Sequence, residues 1–274
     1  MKKSKLLGLA LSFVLSVSVV NTNVSAKAVD TKAEDTSIIL GAVGFVQPIE
    51  NEVQLEFSSG GEQNTHQYIV KSALKILKND KGSSKLNTYA DTISCFADWP
   101  DELGNETDYG TFAGHFYDPS TGKNWMGKTS PTAKGRAESY FNQAVSWYRQ
   151  GEYEEACICL GKGSHYVADL NEPHHASNLT AVNSNHSDFE KYVNSHLSSY
   201  AISGGSFSSS VYTSAKNTSV SSMLISGARY AKGLATNAQN TSKYSATAKS
   251  CVQHAIQNEV QYFYKFGVTV GIYK

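Results

Sequence analysis

The pattern that most constrains this chain is a histidine followed four residues later by a carboxylate. It occurs twice within 26 residues, as His165-x-x-x-Asp169 and His186-x-x-x-Glu190. Residues four apart share a face only on a helix, where they sit one above the other. Each pair therefore works as a pair of donors only if its segment is helical, and the apolar residues around it recur with that period. Tyr153 to Leu170 reads as one helix, closed by Pro173. Residues 186–200 read as the next, and His175 falls in the short turn between them.

The rest of the chain repeats the helical period. Tyr68, Ile69, Ser72, Ile76 and Leu77 mark a helix that stops at Asn79-Asp80 and Gly82. Ser130-Pro131 reads as a helix start with proline at the first helical position. The stripe Ala137, Tyr140, Phe141, Ala144, Val145 and Tyr148 follows, up to Gly151. Ser203 to Ser210 is rich in glycine and serine and reads as a loop. Two more helices fit residues 211–235 and 243–268. Strand-like alternation is scarce and there is no internal repeat. The expected fold is all-α, a single compact multi-helix domain whose helices bury one another's apolar stripes. The longest stretch without helical periodicity is 98–129. It holds Trp99, Tyr109, Phe112, Phe116, Tyr117 and Trp125, and a long loop within a compact domain is usually functional.

The N-terminus carries an export pattern. Lys2, Lys3 and Lys5 precede the apolar run Leu6 to Val20, and Val24-Ser25-Ala26 offers a cleavage site. Residues 1–26 are expected to be a signal peptide, 27–60 a propeptide or N-terminal arm, and 61–274 the functional domain of a secreted, extracellular protein. Lys+Arg and Asp+Glu both number 24, a balance that argues against a nucleic-acid partner. Removing the three signal lysines leaves a net charge of −3. Of the four cysteines, Cys157 and Cys159 point to different sides of one helix and are poorly placed to pair. With Cys95 and Cys251 they read as buried free thiols.

Two facing helices with a turn between them can aim His165, Asp169, His186, Glu190 and His175 at one cavity. Imidazole with carboxylate and no thiolate suits zinc and similar divalent ions, more often for catalysis than for structure. All-oxygen calcium or magnesium sites would not need so many histidines. His174, His196 and His254 lack such neighbours and read as surface residues or as supports behind a site.

These residues match a known family. His165-Tyr166-x-x-Asp169-x-x-x-Pro173-x-His175-x-x-Asn178, followed by His186-x-x-x-Glu190, resembles the zinc-dependent phospholipase C family of secreted bacterial enzymes. Upstream, Gly114-His115-Phe116-Tyr117-Asp118-Pro119 resembles its His-Phe-aromatic-Asp-Pro segment. Asn64-Thr65-His66 resembles its early histidine, and Ala97-Asp98-Trp99 its aspartate–aromatic step. The resemblance runs from about residue 62 to the C-terminus and is strongest over 110–192. It implies clustered zinc, two or three ions. Asp98, His115, His165 and Asp169 would hold one, and His175, His186 and Glu190 a second. His66 and a bridging Asp169 would help hold a third. The best-known members complete the third site with the amine and carbonyl of an N-terminal tryptophan. The corresponding place here is near Val53, and no tryptophan precedes Trp99.

The resemblance further implies in-line attack of an activated water on a phospholipid's phosphorus at a membrane surface, with Asp98 as general base. Diacylglycerol and a phosphorylated head group would be the products. Trp99, Phe112 and Phe116 resemble the head-group pocket, and aromatic faces attract quaternary ammonium, so phosphatidylcholine is the expected substrate. The chain as given ends soon after its last predicted helix, so no counterpart of the toxin members' C-terminal β-sandwich is expected in it. Membrane contact would then fall to loops around the pocket, without general attraction to anionic lipid. The protein is expected to be a monomer. The competing readings are a secreted zinc nuclease and a zinc-binding relative without catalysis.

Overall fold

Asn64 opens the described part of the chain by capping its first helix, its side chain accepting from the Gln67 amide. The structure is a computed structural model and describes residues 64–274. The expected signal peptide and the whole N-terminal arm, with the place near Val53, lie outside the described residues. Helix α1 (Thr65–Lys81) buries Ile69, Val70, Ala73, Leu74 and Leu77 on one side, and closes at Gly82 with φ 82°. Two short helices follow, α2 (Lys85–Thr88) and α3 (Ala90–Phe96).

The long segment that lacked periodicity contains three single 3₁₀ turns, Trp99–Asp101, Asp108–Gly110 and Ala113–His115. An isolated antiparallel bridge joins Asp118 to Lys123. No strand occurs among the described residues, and the all-α expectation holds.

Helix α4 (Ala133–Gln150) starts two residues later than its proline suggested. Thr132 supplies the cap, because its hydroxyl accepts from the Gly135 amide and proline has no such acceptor. Helix α5 (Tyr153–Asp169) follows Gly151, which turns the chain at φ 88°. Helix α6 (His186–Asn194) is shorter than expected, and a 3₁₀ turn at Leu197–Tyr200 completes the predicted stretch. The helix expected over 211–235 is two helices, α7 (Ser209–Asn217) and α8 (Val220–Ala238). Thr218 between them is extended, and Ser219 caps α8 by accepting from the Ser222 amide. Helix α9 (Tyr244–Thr269) ends the fold.

Helix α5 is the central element, packed on α3, α4, α9 and α1. Its glycines permit that closeness: a Cβ on Gly161 would lie 2.5 Å from the Ile93 carbonyl oxygen. Cys157, Cys159 and Cys251 are buried free thiols, while Cys95 is free and exposed because it faces outward from α3. No helix among the described residues is long and apolar enough to cross a membrane.

Candidate metal centre

The last two turns of α5 carry His165 and Asp169, both fully buried. His165 Nδ1 lies 2.8 Å from the Ala97 carbonyl. A carbonyl only accepts, so Nδ1 carries the proton and Nε2 presents a lone pair. That lone pair faces His115 Nδ1 at 2.9 Å, Asp101 Oδ1 at 3.3 Å and Asp169 Oδ2 at 3.3 Å. His115, at the end of its 3₁₀ turn, is fixed the same way. Its Nε2 donates to the Glu106 carbonyl at 3.1 Å, and its Nδ1 faces Asp169 at 3.1 Å and Asp101 at 3.4 Å. His66, from the first turn of α1, stacks on His165 with ring centroids 4.1 Å apart. Its Nε2 lies 3.8 Å from Asp169 Oδ1 and 3.9 Å from Asp101 Oδ2.

A second lobe adjoins the first. His175 Nδ1 donates to the His115 carbonyl at 2.9 Å, which turns its Nε2 toward Glu190 Oε1 at 3.4 Å. The same Glu190 oxygen lies 2.8 Å from His186 Nε2 one helical turn earlier. Behind this lobe, Glu172 accepts from the His175 amide at 2.7 Å and pairs with His174 Nδ1 at 2.8 Å. Glu172 Oε2 is also 3.8 Å from His186 Nε2, so it stands beside the lobe with both oxygens already engaged.

The arrangement suits cations. Both oxygens of Asp101, Oδ1 of Asp169 and Oε2 of Glu190 are buried with no hydrogen-bond partner. Three sets of donors each fall within 4.8 Å: His66, His165 and Asp169; Asp101, His115 and His165; Glu172, His175 and His186. The unpartnered carboxylate oxygens of Asp101, Asp169 and Glu190, buried beside imidazoles, call for positive charge among them, because unpaired buried anions are costly. Backbone carbonyls that lock each imidazole's tautomer are the usual support for metal-ligating histidines. The nitrogen–oxygen donor set without thiolate fits zinc, with room for two or three ions.

Burial and neighbouring His165 push His66 down to about 3, so its ring is neutral at neutral pH. His165 stands apart from it: burial works to lower it, but Asp101 and Asp169 outweigh that and raise it well above its ordinary value, so positive charge is favoured at its Nε2. Burial works to raise the Asp101 carboxyl, but the imidazoles of His165, His115 and His66 outweigh it and hold it at about 2. Asp169 is held well below the usual carboxylate range against the same burial, chiefly by His165 and His175.

Of the residues singled out from sequence, the structure gathers His66, His115, His165, Asp169, His175, His186 and Glu190 around these two lobes. It does not gather Asp98. Asp98 Oδ2 accepts from the Asn64 and Gln67 side-chain amides, each at 2.5 Å, tying the start of α1 to the following turn, while Oδ1 is buried without a hydrogen-bond partner. Asp101, at the other end of Asp98-Trp99-Pro100-Asp101, faces the histidines instead. Asp101 and Glu172 were not singled out from sequence. The second aspartate of that four-residue run was the available signal for Asp101, and Glu172 has none beyond its place next to Pro173.

The three aromatic residues separate. Phe116 is fully buried and stacked on His175, with centroids 4.5 Å apart and planes 5° apart, so it forms a wall behind a ligand. The Trp99 face is covered by the Lys162 ammonium, 3.4 Å from the ring centroid. Phe112 tilts against His115 at 5.5 Å and lines a cleft of 780 Å³ with Glu106, Asp108 and Arg136.

A helical core that collects buried histidines and carboxylates from α1, α5, α6 and the turns between helices defines a multinuclear metal-centre protein. The profile of the family described as zinc dependent phospholipase C matches residues 65–256, and the chain belongs to that family. It is 33% identical to a phospholipase C of Paraclostridium bifermentans over 172 residues, 55% of this chain and 43% of that protein. It is 31% identical to a Bacillus cereus phospholipase C over 155 residues, 52% of this chain and 53% of the relative. The chain thus spans about half the length of the relatives it matches. Among solved structures it resembles the alpha toxin of Clostridium absonum, with a TM-score of 0.69 and 25% identity, covering 76% of this chain and 65% of the toxin.

Proposed function

We propose that this chain is an exported zinc-dependent phosphodiesterase of the phospholipase C type, acting as a monomer on phospholipids. Its substrate is phosphatidylcholine, cleaved to diacylglycerol and a phosphorylated head group. The observation that carries this reading is the pair of buried histidine–carboxylate lobes, whose rings are oriented by backbone carbonyls and whose carboxylate oxygens lack donors. Its membership of a family described by zinc-dependent phospholipase C activity supports it.

Asp101, His115, His165 and Asp169 would hold one ion. His175, His186 and Glu190 would hold a second, and His66 with Asp169 and Asp101 a third. Ions at these donors supply Lewis-acid activation of water and neutralise charge building on the phosphodiester oxygens. Asp101 takes the role of proton acceptor rather than Asp98. Its Oδ1 and Oδ2 face the rings of His115, His165 and His66, whereas Asp98 Oδ2 is taken up by the Asn64 and Gln67 amides. Phe112 supplies the aromatic face for a quaternary ammonium head group, because it lines an open cleft beside His115. Phe116 keeps the His175 ring in place.

The test is turnover of phosphatidylcholine by the purified protein, with single-stranded nucleic acid as the competing substrate. Release of phosphocholine that stops on chelation and returns with zinc supports the reading. Cleavage of nucleic acid with no lipid turnover overturns it in favour of a nuclease, and zinc binding with turnover of neither leaves a binding protein.

A further inference from the structure

The two most exposed large apolar side chains among the described residues are Leu103, 99% exposed, and Tyr109, 106% exposed. Both lie on the loop of residues 102–112 and line the solvent side of the 780 Å³ cleft beside the metal centre. Apolar side chains displayed this fully, beside a candidate active site, mark an interaction surface.

The display is built into the backbone. Asp108 and Tyr109 have φ of 50° and 58°, a left-handed conformation that bulky residues avoid unless their surroundings enforce it. Here Arg136 enforces it. Its guanidinium grips Asp108 with Nη2 to Oδ1 at 2.6 Å and Nη1 to Oδ2 at 3.1 Å, and Nη1 also donates to the Glu106 carbonyl at 3.0 Å. The Gly114 amide donates to the same carboxylate at 2.7 Å. The clamp fixes the root of the loop, and Tyr109 stands beyond it in solvent. Half-exposed Trp125 adjoins, its indole donating to the Thr111 carbonyl at 3.0 Å, and exposed Met126 follows it.

The charge of the loop says what it can meet. Residues 102–112 contain Glu102, Glu106 and Asp108 and no lysine or arginine; Arg136 pairs with Asp108 and approaches Glu106, so the loop with its clamp remains net acidic. An anionic surface would repel the loop, while a zwitterionic one would leave the apolar tips as the driving term. We infer that the 102–112 loop is an interfacial loop: Leu103 and Tyr109 enter the apolar layer of a zwitterionic phosphatidylcholine surface and seat the mouth of the cleft on it. This rests on the phospholipase reading for its choice of partner. Tyrosine is suited to that depth, with an apolar ring and a polar end that stays wet.

The experiment uses the zinc-loaded full chain and the double variant Leu103→Ser/Tyr109→Ser. Binding to pure phosphatidylcholine vesicles is read by co-sedimentation. Turnover is read separately on vesicles and on a short-chain phosphatidylcholine below its micelle concentration. The double variant should bind vesicles at least tenfold more weakly and lose at least fivefold more turnover on vesicles than on the monomeric lipid. In a second arm, Tyr109→Trp should show a blue-shifted emission on adding vesicles. Adding anionic phosphatidylglycerol should not strengthen binding. Equal vesicle binding by parent and double variant overturns the proposal, as does binding that requires anionic lipid and is lost in salt. Absence of turnover on both lipid forms would instead overturn the phospholipase reading, with vesicle binding still deciding the role of the loop.

Discussion

Asp98 and Asp101 stand three residues apart and do different work. Asp101→Asn should lower kcat/KM on phosphatidylcholine by about 10²–10³-fold if Asp101 is the proton acceptor we propose. Asp98→Asn should cost about 1–3 kcal/mol of stability by upsetting the buried amide contacts to Asn64 and Gln67, with activity per folded molecule changed far less. Steady-state turnover and urea denaturation on the two variants separate these effects. The helical pairs His165–Asp169 and His186–Glu190 were legible in the sequence because the helix period fixes where a side chain four residues on will point. Asp98-Trp99-Pro100-Asp101 lies where no period exists, so nothing in the sequence says which aspartate faces inward. His254 supplies a pH prediction at the same scale. Burial pushes it down to about 4 in the fold, and it packs on Tyr230 with ring centroids 3.8 Å apart. Between its ordinary value near 6.5 and about 4, the unfolded chain binds a proton that the native state refuses. Its effect on stability is therefore absent above pH 6.5 and destabilising as the pH falls, by up to about 1.4 kcal/mol per pH unit. His254→Gln should remove that slope from denaturation midpoints measured at pH 7 and pH 4.5.

Among the elements, α5 does most to build the site, and it does so by lying close to α3. Gly161→Ala would set a methyl group 2.5 Å from the Ile93 carbonyl, a backbone atom that cannot swing aside. The helices must part, and the expected cost is about 1–3 kcal/mol, read as a lowered Tm in a thermal melt. Truncating the α4 cap, Thr132→Ala, should cost about 1 kcal/mol in the same assay. Most helices could be placed from periodicity, but the break between α7 and α8 could not. Apolar residues recur helically from Val211 to Leu234, and only the hydroxyl chemistry of Thr218-Ser219 interrupts them. Capping residues decided both this boundary and the start of α4, where the sequence pattern favoured Pro131. The aromatic segment 98–129 gave its importance but not its geometry, since 3₁₀ turns and positive-φ residues leave no regular spacing to read.

At the scale of the whole molecule, the metal centre joins what the sequence separates: α1, the aromatic segment, α5, the following turn and α6 all place donors in it. Ions bound there should stabilise the fold as well as act on substrate, because the unfolded chain offers no such cluster. At free zinc a thousandfold above its dissociation constant, the gain is about 4 kcal/mol, seen as a fall in Tm on chelation. The central claim is that these buried donors hold zinc for phosphodiester hydrolysis. The most direct test is zinc per chain and phosphatidylcholine hydrolysis, measured on one purified sample before chelation, after it, and after zinc is returned. The account predicts two or three zinc ions per chain, with hydrolysis that disappears and recovers with them. A protein carrying no zinc, or one whose hydrolysis is indifferent to its removal, would contradict it.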